Sequence, residues 1–350
     1  MFPITILNGD EVSGILTMKM AIDAVENAYR LKSQGEAALF PVVSHEFTPG
    51  ISDMDIKSGD LTGAGIFGLK LVSWFSQNPA QHLPPLIGTI MLFDSHTGLP
   101  IGIMNATAIT GMRTGAASAI GSKYLGRKNS RTLLMVGAGG QAPYQILAHL
   151  ESFDRIDTVF ICDPLSFDRA KSASLSLPLQ IKEMISTAYG DSPYARTLAE
   201  KASVAFVPVE NLQQAVGNAD LIATATPSKS PLIQSDWVTA GTHLSCIGAD
   251  MVGKQEVDER LLANARVFAD DLNQCVALGE CETAIKKGII KREDICGEIG
   301  EVILGSKKGR SAPDDITLFD STGIALQDLI TAKSILDIAK ERNVGTTVSL

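Results

Sequence analysis

The spacing of apolar residues divides the first third of the chain into a helical part and an extended part. Apolar side chains recur at helical intervals over residues 10–35, and Asp10 stands where a helix cap is expected. Over residues 36–105, short apolar runs are separated by Gly, Pro and a DSHTG turn, which is typical of a mostly antiparallel sheet with hairpin connections. Small residues dominate over residues 110–125 and predict a helix packed closely against its neighbours.

A different alternation begins at Arg131. The apolar run TLLMV leads into the glycine turn GAGG, and further apolar strands then alternate with helical stretches as far as the segment RVFAD. This alternation predicts an α/β fold with a doubly wound parallel sheet. Proline and glycine interrupt the helical pattern over residues 171–201, whereas residues 323–342 are helical again. We expect this last helix to return to the first domain.

Composition excludes several classes of protein. The chain has 350 residues, enough for two domains, with 45% apolar and 20% charged residues. Its 30 Lys and Arg residues are outnumbered by 39 Asp and Glu residues and form no cluster, so we expect no nucleic-acid partner. We also expect no secretory signal and no membrane span. Five cysteines without CxxC spacing, and histidines without metal-ligand spacing, indicate a metal-free protein of the reducing cytoplasm.

The segment from Gly137 to Ala142 reads GAGGQA, a GxGxxA version of the dinucleotide fingerprint, between an apolar strand and a helix. The first glycine permits a tight turn, the second lets a pyrophosphate approach the backbone, and the alanine keeps the helix close to the sheet. This context predicts a Rossmann-type sheet. The predicted cofactor contacts of the loop are Gly137, Gly139, Gly140 and Gln141.

Asp163 ends the next apolar strand, about twenty residues beyond the loop. A carboxylate at this place accepts hydrogen bonds from the ribose hydroxyls and repels a 2′-phosphate. The local sequence CDP contains no adjacent arginine that would bind the phosphate. We therefore predict NAD(H) as the cofactor rather than NADP(H), the alternative being that Asp163 is only a polar loop residue.

Three charged residues lie within or directly after stretches of apolar or small residues, where a charged side chain is unusual. Lys70 lies in the apolar run IFGLKLVSWF and is either an edge-strand lysine or a catalytic residue. Arg113 lies among residues too small to cover a guanidinium and either binds an α-carboxylate in a cleft or forms a structural ion pair. Asp250 follows the strand THLSCIG and is either a proton-transfer group near the nicotinamide or a helix cap.

Seven motifs in a fixed order extend over nearly the whole chain. They are GLK, LFDSHTGLPIGIMNATAITGMRTGAAS, MVGAGGQA, ADLIATATPSKSPLI, GTHLSCIGADMVGKQEVD, GEIGEVILG and DSTGIALQDL. With these motifs the sequence resembles the ornithine cyclodeaminase/mu-crystallin family over about residues 5–335. The resemblance implies a homodimer and an α+β domain for substrate binding and dimerisation over residues 1–115, completed by residues 324–350. Residues 116–323 would form the NAD-binding Rossmann domain.

The resemblance also implies roles for individual residues. Lys70 and Asp250 would be the catalytic pair, and Arg113 would bind the substrate carboxylate. Further cofactor contacts are implied for Thr114, Thr226 and Ser321.

Members of this family move a hydride between the nicotinamide and the α-carbon of an amino or imino acid. The resemblance therefore implies an NAD(H)-dependent imine reductase or amino acid dehydrogenase acting on a small substrate. One alternative is a cyclodeaminase-type lyase that releases ammonia and uses NAD catalytically. A second alternative is a mu-crystallin-like protein that binds its ligand without turnover.

Two departures from the family pattern bear on the substrate. The family usually has an arginine in the segment FPVVSHEF, where this chain has Ser44, His45 and Glu46. Ornithine-cyclising members have an acid where this chain has Lys57, and a cation there disfavours a diamine.

Lys57 is the second predicted substrate-binding residue, and its role depends on what its strand faces. If its strand lines the pocket, it stands near Lys70 and Arg113, and three cations favour a substrate with a second anionic or strongly polar group. The alternatives are that Glu46 or Asp55 pairs with Lys57, or that Lys57 replaces the missing arginine as a carboxylate ligand.

Overall fold

The computed structural model describes all 350 residues. The elements of the first half are β1 (Pro3–Leu7), α1 (Gly9–Ile15), α2 (Met18–Gln34), β2 (Ala38–Leu39), β3 (Val43–Thr48), β4 (Ser52–Leu61), β5 (Ile66–Phe75), β6 (Leu86–Asp94), β7 (Pro100–Asn105), α3 (Thr107–Leu125), β8 (Thr132–Val136), α4 (Ala142–Ser152), β9 (Thr158–Cys162) and α5 (Phe167–Tyr189). The remaining elements are α6 (Pro193–Lys201), β10 (Ala205–Pro208), α7 (Leu212–Gly217), β11 (Leu221–Thr224), β12 (Lys229–Ile233), β13 (His243–Cys246), β14 (Gln255–Val257), α8 (Glu259–Asn264), β15 (Arg266–Ala269), α9 (Leu272–Leu278), α10 (Cys281–Lys286), β16 (Gly297–Glu298), α11 (Ile299–Ile303), β17 (Thr317–Asp320), α12 (Ala325–Arg342) and β18 (Thr346–Ser349). No helix combines the length and the apolar character that a membrane span requires.

Contacts divide the chain into two compact units. The first unit comprises Met1–Arg113 together with Ile324–Leu350, and the second comprises Thr114–Gly323. The sequence-based boundary placed residues 114 and 115 in the first domain, whereas the contacts place them in the second unit. The reason is visible at Gly115, where an added Cβ would lie only 2.3 Å from the carbonyl oxygen of Tyr144 in α4.

The first unit is built on an eight-stranded sheet with the order β18-β1-β7-β6-β5-β4-β2, and β3 also pairs with β4. Every pair is antiparallel except β1 with β7. The predicted, mostly antiparallel sheet is therefore confirmed. Long hairpins form it because alternating apolar residues can face a covering helix while their neighbours face outward.

Helix α12 covers one face of this sheet and packs against α2, β4, β5 and β6. Its close approach depends on Gly68 in β5. An added Cβ at Gly68 would lie 2.5 Å from the Met91 carbonyl oxygen and 3.0 Å from the Leu329 side chain of α12. A residue without a side chain therefore lets the helix lie directly on the strands.

The N-terminal helical segment differs from its prediction. It forms two helices, and Asn8 rather than Asp10 caps the first of them by accepting from the backbone N–H groups of Asp10 and Glu11. The second helix is capped by Thr17. Asparagine and threonine oxygens satisfy the unpaired N–H groups at a helix start, and this local geometry decides where each helix begins.

The second unit is built on an eight-stranded sheet in which all pairs are parallel, with the order β10-β9-β8-β11-β13-β17-β15-β16. The first six strands have the order that defines the Rossmann fold, and the order reverses between β8 and β11. The predicted doubly wound sheet is thus confirmed. The helical pattern over residues 171–201 is interrupted as predicted where Gly190 ends α5 and Pro193 begins α6. At Pro178 the prediction was wrong, because α5 continues through it and buries Leu177, Ile181 and Ile185 on one face.

Candidate active site

Lys70 lies in the interior of the first sheet. Its strand, β5, pairs with β4 on one side and with β6 on the other, and only 1% of the residue is exposed. The alternative of an edge-strand lysine is therefore wrong. An ammonium group in such a place requires a partner, since burying an unpaired charge is costly.

The partner is Asp328, a residue that was not predicted from the sequence. The ammonium of Lys70 donates to Oδ1 of Asp328 at 2.8 Å, and Nε of Arg113 donates to the same oxygen at 3.1 Å. Asp328 itself is fully buried in the first turn of α12. The only sequence signal was a single carboxylate inside the apolar run IALQDLI.

Arg113 has a second anchor on the same helix. Its Nη1 donates to the side-chain oxygen of Gln327 at 2.9 Å, and Gln327 in turn donates to the Tyr29 hydroxyl at 2.6 Å. The ion pair considered as an alternative for Arg113 is therefore present. The structure holds the guanidinium in one orientation, as bidentate recognition of a carboxylate requires.

Burial is the main influence on the pKa of Lys70, which is lowered to about 7 although the Asp328 carboxylate acts in the opposite direction. The charges of Arg113 and Lys57 lower it further. For Asp328, burial favours the neutral acid, but Arg113 and Lys70 outweigh burial and hold the pKa of this carboxyl below its usual value. Lys70 is therefore a group whose charge can change near neutral pH.

Lys57 lies directly opposite Lys70 in the antiparallel ladder of β4 and β5. Opposite residues of such a ladder point to the same face of the sheet, with Cβ atoms about 4.5–5.5 Å apart. The structure therefore brings Lys57, Lys70 and Arg113 together around one buried carboxylate.

The predicted residues of the second unit follow the carboxyl ends of parallel strands, and these ends form one edge of the sheet. Gly137 follows β8, Asp163 follows β9, Thr226 follows β11, Asp250 follows β13 and Ser321 follows β17. Ligands of open α/β sheets bind at this edge, at the point where the strand order reverses.

The glycine loop has the geometry of a dinucleotide-binding turn. Gly137 has φ of +104°, and an added Cβ would lie 2.7 Å from the Ala225 carbonyl oxygen. At Gly139 and Gly140, by contrast, an added Cβ would meet no atom within 4 Å. The side-chain oxygen of Gln141 is buried without a hydrogen-bond partner. The open loop face and the backbone N–H groups at the start of α4 just beyond it fit a dinucleotide pyrophosphate.

Asp163 is tied to this loop and to a basic residue that was not predicted. Its carboxylate accepts from the backbone N–H of Ala138 at 3.2 Å and of Leu165 at 3.0 Å. Nε of Arg169, in the first turn of α5, donates to it at 3.1 Å. Arg169 also lines a cavity of about 390 Å³ beside Ala138. No arginine is adjacent to Asp163 in the sequence, but the loop after β9 and the first turn of α5 bring Arg169, six positions further on, to the end of the strand.

Thr226 is held by Glu256, another buried carboxylate that was not predicted. Glu256 accepts from the backbone N–H and the hydroxyl of Thr226 at 2.7 and 2.8 Å. It also accepts from the backbone N–H of Gly248 at 2.8 Å. One side chain thus joins the ends of β11 and β13, and the only signal in the sequence was its place in the motif KQEVD.

Asp250 lies in a turn where no helix begins, so the alternative of a helix cap is wrong. Its carboxylate accepts from the Lys254 ammonium at 2.5 Å and its side chain is 42% exposed.

The two remaining predicted cofactor contacts are both buried. Ser321 donates to the carboxylate of Asp270 at 2.9 Å. Thr114 is buried within α3.

The structure thus groups the predicted residues into two sets. Lys57, Lys70 and Arg113 lie in the first unit, and the residues predicted for the cofactor lie with Asp250 in the second. No group of three or more His, Cys, Asp or Glu side chains is arranged to hold a metal ion. The fold and loop of the second unit define a dinucleotide-binding protein of the Rossmann class.

Comparisons with known proteins identify the family within this class. The chain matches the ornithine cyclodeaminase/mu-crystallin family over residues 5–343 and belongs to it. It is 37% identical to the alanine dehydrogenase of Archaeoglobus fulgidus over 98% of this chain and 97% of that protein. It is 33% identical to the iminosuccinate reductase of Paracoccus denitrificans over 97% of this chain and 98% of that protein. A solved archaeal alanine dehydrogenase, a dimer with bound NAD, superposes with a TM-score of 0.86 at 36% identity over the full length of both chains.

Proposed function

We propose that this protein is an NAD(H)-dependent oxidoreductase that transfers a hydride between the nicotinamide and the α-carbon of a small amino or imino acid. The main support for the proposal is a buried pair of cations, Lys70 and Arg113, which both donate to the Asp328 carboxylate. The same chain has a dinucleotide-binding loop at Gly137. Such a pair suits an α-carboxylate, and the loop suits the cofactor. Relatives at 37% and 33% identity bear the names of an amino acid dehydrogenase and an imine reductase.

In this reaction the bound nicotinamide supplies or accepts the hydride. Arg113 and Lys70 would hold the substrate carboxylate and orient the α-carbon. Asp250, with its exposed carboxylate, would move the proton that nitrogen gains during reduction and loses during oxidation. The cofactor would be held by the glycine loop at the pyrophosphate and by Asp163 at the ribose.

The direct test follows NADH absorbance while the protein is given 2-oxo acids with ammonium, preformed cyclic imines and, separately, ornithine. We expect oxidation of NADH with an imine, and a loss of turnover of about 10²-fold or more in Lys70→Ala and in Asp250→Ala. Binding of NADH should persist in both variants. Ammonia release from ornithine without net change of NADH would instead indicate a cyclodeaminase, and binding without any turnover would indicate a mu-crystallin-like role.

We further propose that the substrate carries a second anionic or strongly polar group. Lys57 supports this choice because it faces Lys70 across the ladder, and its positive charge acts on both Lys70 and Asp328. A second anionic group of the substrate would be attracted by the Lys57 ammonium. The name of the relative from Paracoccus denitrificans specifies a dicarboxylic imino acid.

Lys57→Glu should lower kcat/KM for a dicarboxylic imino acid by well over tenfold, which is more than about 1.4 kcal/mol, and improve tolerance of diamines. The monocarboxylic imine of pyruvate serves as the comparison substrate. An equal loss for both substrates would mean that Lys57 binds only the α-carboxylate. Lys19→Glu, at an exposed pair with Asp23, is the matched control and should change neither value.

A homodimer is proposed from the uncovered face of the first sheet. Leu71, Phe75 and Ile87 are exposed and belong to the strand positions that point away from Lys70 and α12. Phe47 lies beside Phe75, with ring centroids 5.8 Å apart. A contiguous apolar face of this kind typically marks an interface.

We place the reaction in the reducing cytoplasm because all five cysteines are free thiols.

A further inference from the structure

The first turn of α12 carries a charged group that the proposed reaction does not itself require. Asp328 is completely buried, and a buried carboxylate costs several kcal/mol unless it is paired. Its Oδ1 accepts from both Lys70 and Arg113, whereas its Oδ2 is buried without a hydrogen-bond partner. The compensation for its burial therefore comes chiefly from the two cations.

The two cations depend on Asp328 to different degrees. Arg113 has a second anchor, because Gln327 accepts from its Nη1 and is itself fixed by Tyr29. For Lys70, Asp328 is the carboxylate within salt-bridge distance. Removal of the Asp328 charge should therefore affect Lys70 much more than Arg113.

The other neighbours of Lys70 oppose its charge. Arg113 on α3 and Lys57 on β4 are cations, and the residue opposite Lys70 on β6 is the apolar Ile90. Asp328 on α12 is the group whose charge favours the ammonium form, and burial disfavours it. The protonation of Lys70 near neutral pH thus depends on this single carboxylate.

We propose that Asp328 is a positioning residue of the active site, which holds the Lys70 ammonium in place and keeps it charged so that it can bind and polarise the substrate. Its effect on turnover rests on the proposed oxidoreductase function. Its effect on Lys70 does not, and the two can be measured separately.

Asp328→Asn keeps the shape and an acceptor oxygen but removes the charge. We expect the pH at which kcat/KM falls on the alkaline side to move down by at least one unit. Activity should drop more than tenfold at pH 8 and recover substantially at pH 6. Asp337→Asn is the matched control on the same helix, because Asp337 is half-exposed and pairs with Lys333, and its profile should match the wild type.

Conservative variants separate positioning from a merely structural role. Asp328→Glu retains the charge and should keep the wild-type midpoint even if the rate falls. Lys70→Arg, which cannot lose its proton in this range, should abolish the alkaline fall. A uniform loss in Asp328→Asn at every pH, with an unchanged midpoint, would overturn the proposal.

A measurement without turnover keeps the inference independent of the proposed function. The NMR signal of the Lys70 side chain, assigned by its absence in Lys70→Arg, reports the titration of this group in the ligand-free protein. It should titrate at least one pH unit lower in Asp328→Asn than in the wild type. If Lys70 titrates at the same pH in Asp328→Asn and in the wild type, the proposed role of Asp328 is refuted, whether or not the protein reduces imines. If the titration shifts but the protein shows no turnover, only the proposed oxidoreductase function is refuted.

Discussion

At the scale of single residues, the proposed preference for NAD(H) over NADP(H) depends on the Asp163 carboxylate and its contact with Arg169. Arg169 donates to Asp163, yet about half of its side chain is exposed and it borders the cavity beside the glycine loop. We therefore propose two effects of Asp163: its charge would repel a 2′-phosphate, and its contact with Arg169 would occupy the guanidinium that could bind one.

Asp163→Ser should free Arg169 and exchange the cofactor preference. We expect the affinity for NADPH to rise roughly tenfold, about 1.4 kcal/mol, and that for NADH to fall by a similar factor. Fluorescence titration with each cofactor measures both without turnover. The double variant Asp163→Ser/Arg169→Ala should lose the gain for NADPH, and a gain that persists there would show that Arg169 has no part in it.

At the scale of elements, a buried chain of hydrogen bonds joins α3, α4 and β13 within the second unit. Nδ1 of His149 donates to the Gln145 carbonyl oxygen at 2.7 Å, so Nε2 accepts from the Ser122 hydroxyl at 2.8 Å. The Ser122 and Ser245 hydroxyls lie 3.4 Å apart, and Ser245 lies 3.0 Å from Nε2 of His243. Both histidines are completely buried and serve this chain as neutral rings.

This arrangement predicts sensitivity to acid. Burial lowers the pKa of His149 to about 4, against 6.5 for an ordinary histidine. The unfolded chain therefore binds more protons between pH 6.5 and pH 4, and the free energy of unfolding falls as the pH is lowered through this window. The contribution of His149 to the fall between pH 7.5 and pH 4 is roughly 3 kcal/mol.

In His149→Asn, the difference between the free energies of unfolding at pH 7.5 and pH 4 should be smaller than in the wild type by roughly 3 kcal/mol. Urea denaturation at the two pH values measures this difference. Carboxylates that titrate between pH 7.5 and pH 4 are present in the wild type and in the variant alike. Their contribution therefore cancels when the two proteins are compared. His96→Asn, in an exposed turn, is the control and should leave the pH dependence unchanged. An unchanged slope in His149→Asn would mean that the His149 ring gains its proton in the folded state.

At the scale of the whole molecule, the proposed homodimer depends on the uncovered face of the first sheet. Leu71→Glu places a charge in the middle of the uncovered sheet face and should weaken self-association by more than tenfold in analytical ultracentrifugation. Leu175→Glu is the control, because Leu175 is 72% exposed on α5 of the second unit. A wild-type protein that stays monomeric at micromolar concentration would refute the dimer.

The sequence by itself determined the kinds of elements and the chemistry of the cofactor loop. Helical and alternating apolar spacing are local properties, so the antiparallel sheet, the parallel sheet and the turn at Gly137 could be predicted from neighbouring residues. The family membership could be predicted for the same reason, since its motifs are contiguous stretches of chain. Where a helix began was less predictable, because Asn8 and Asp10 are both plausible caps and backbone geometry chooses between them.

Only the tertiary structure decided which charges share a site. Lys70 and Asp328 are separated by 258 positions, and no local pattern connects them. The same is true of Thr226 with Glu256, which are 30 positions apart, and of Asp163 with Arg169, which a loop and the start of α5 bring together. Buried carboxylates need partners from any element that packs nearby, and the packing of α12 on β5 is a property of the whole fold. The predicted cations were therefore visible in the sequence, whereas the carboxylate that holds them became visible only when the chain was folded.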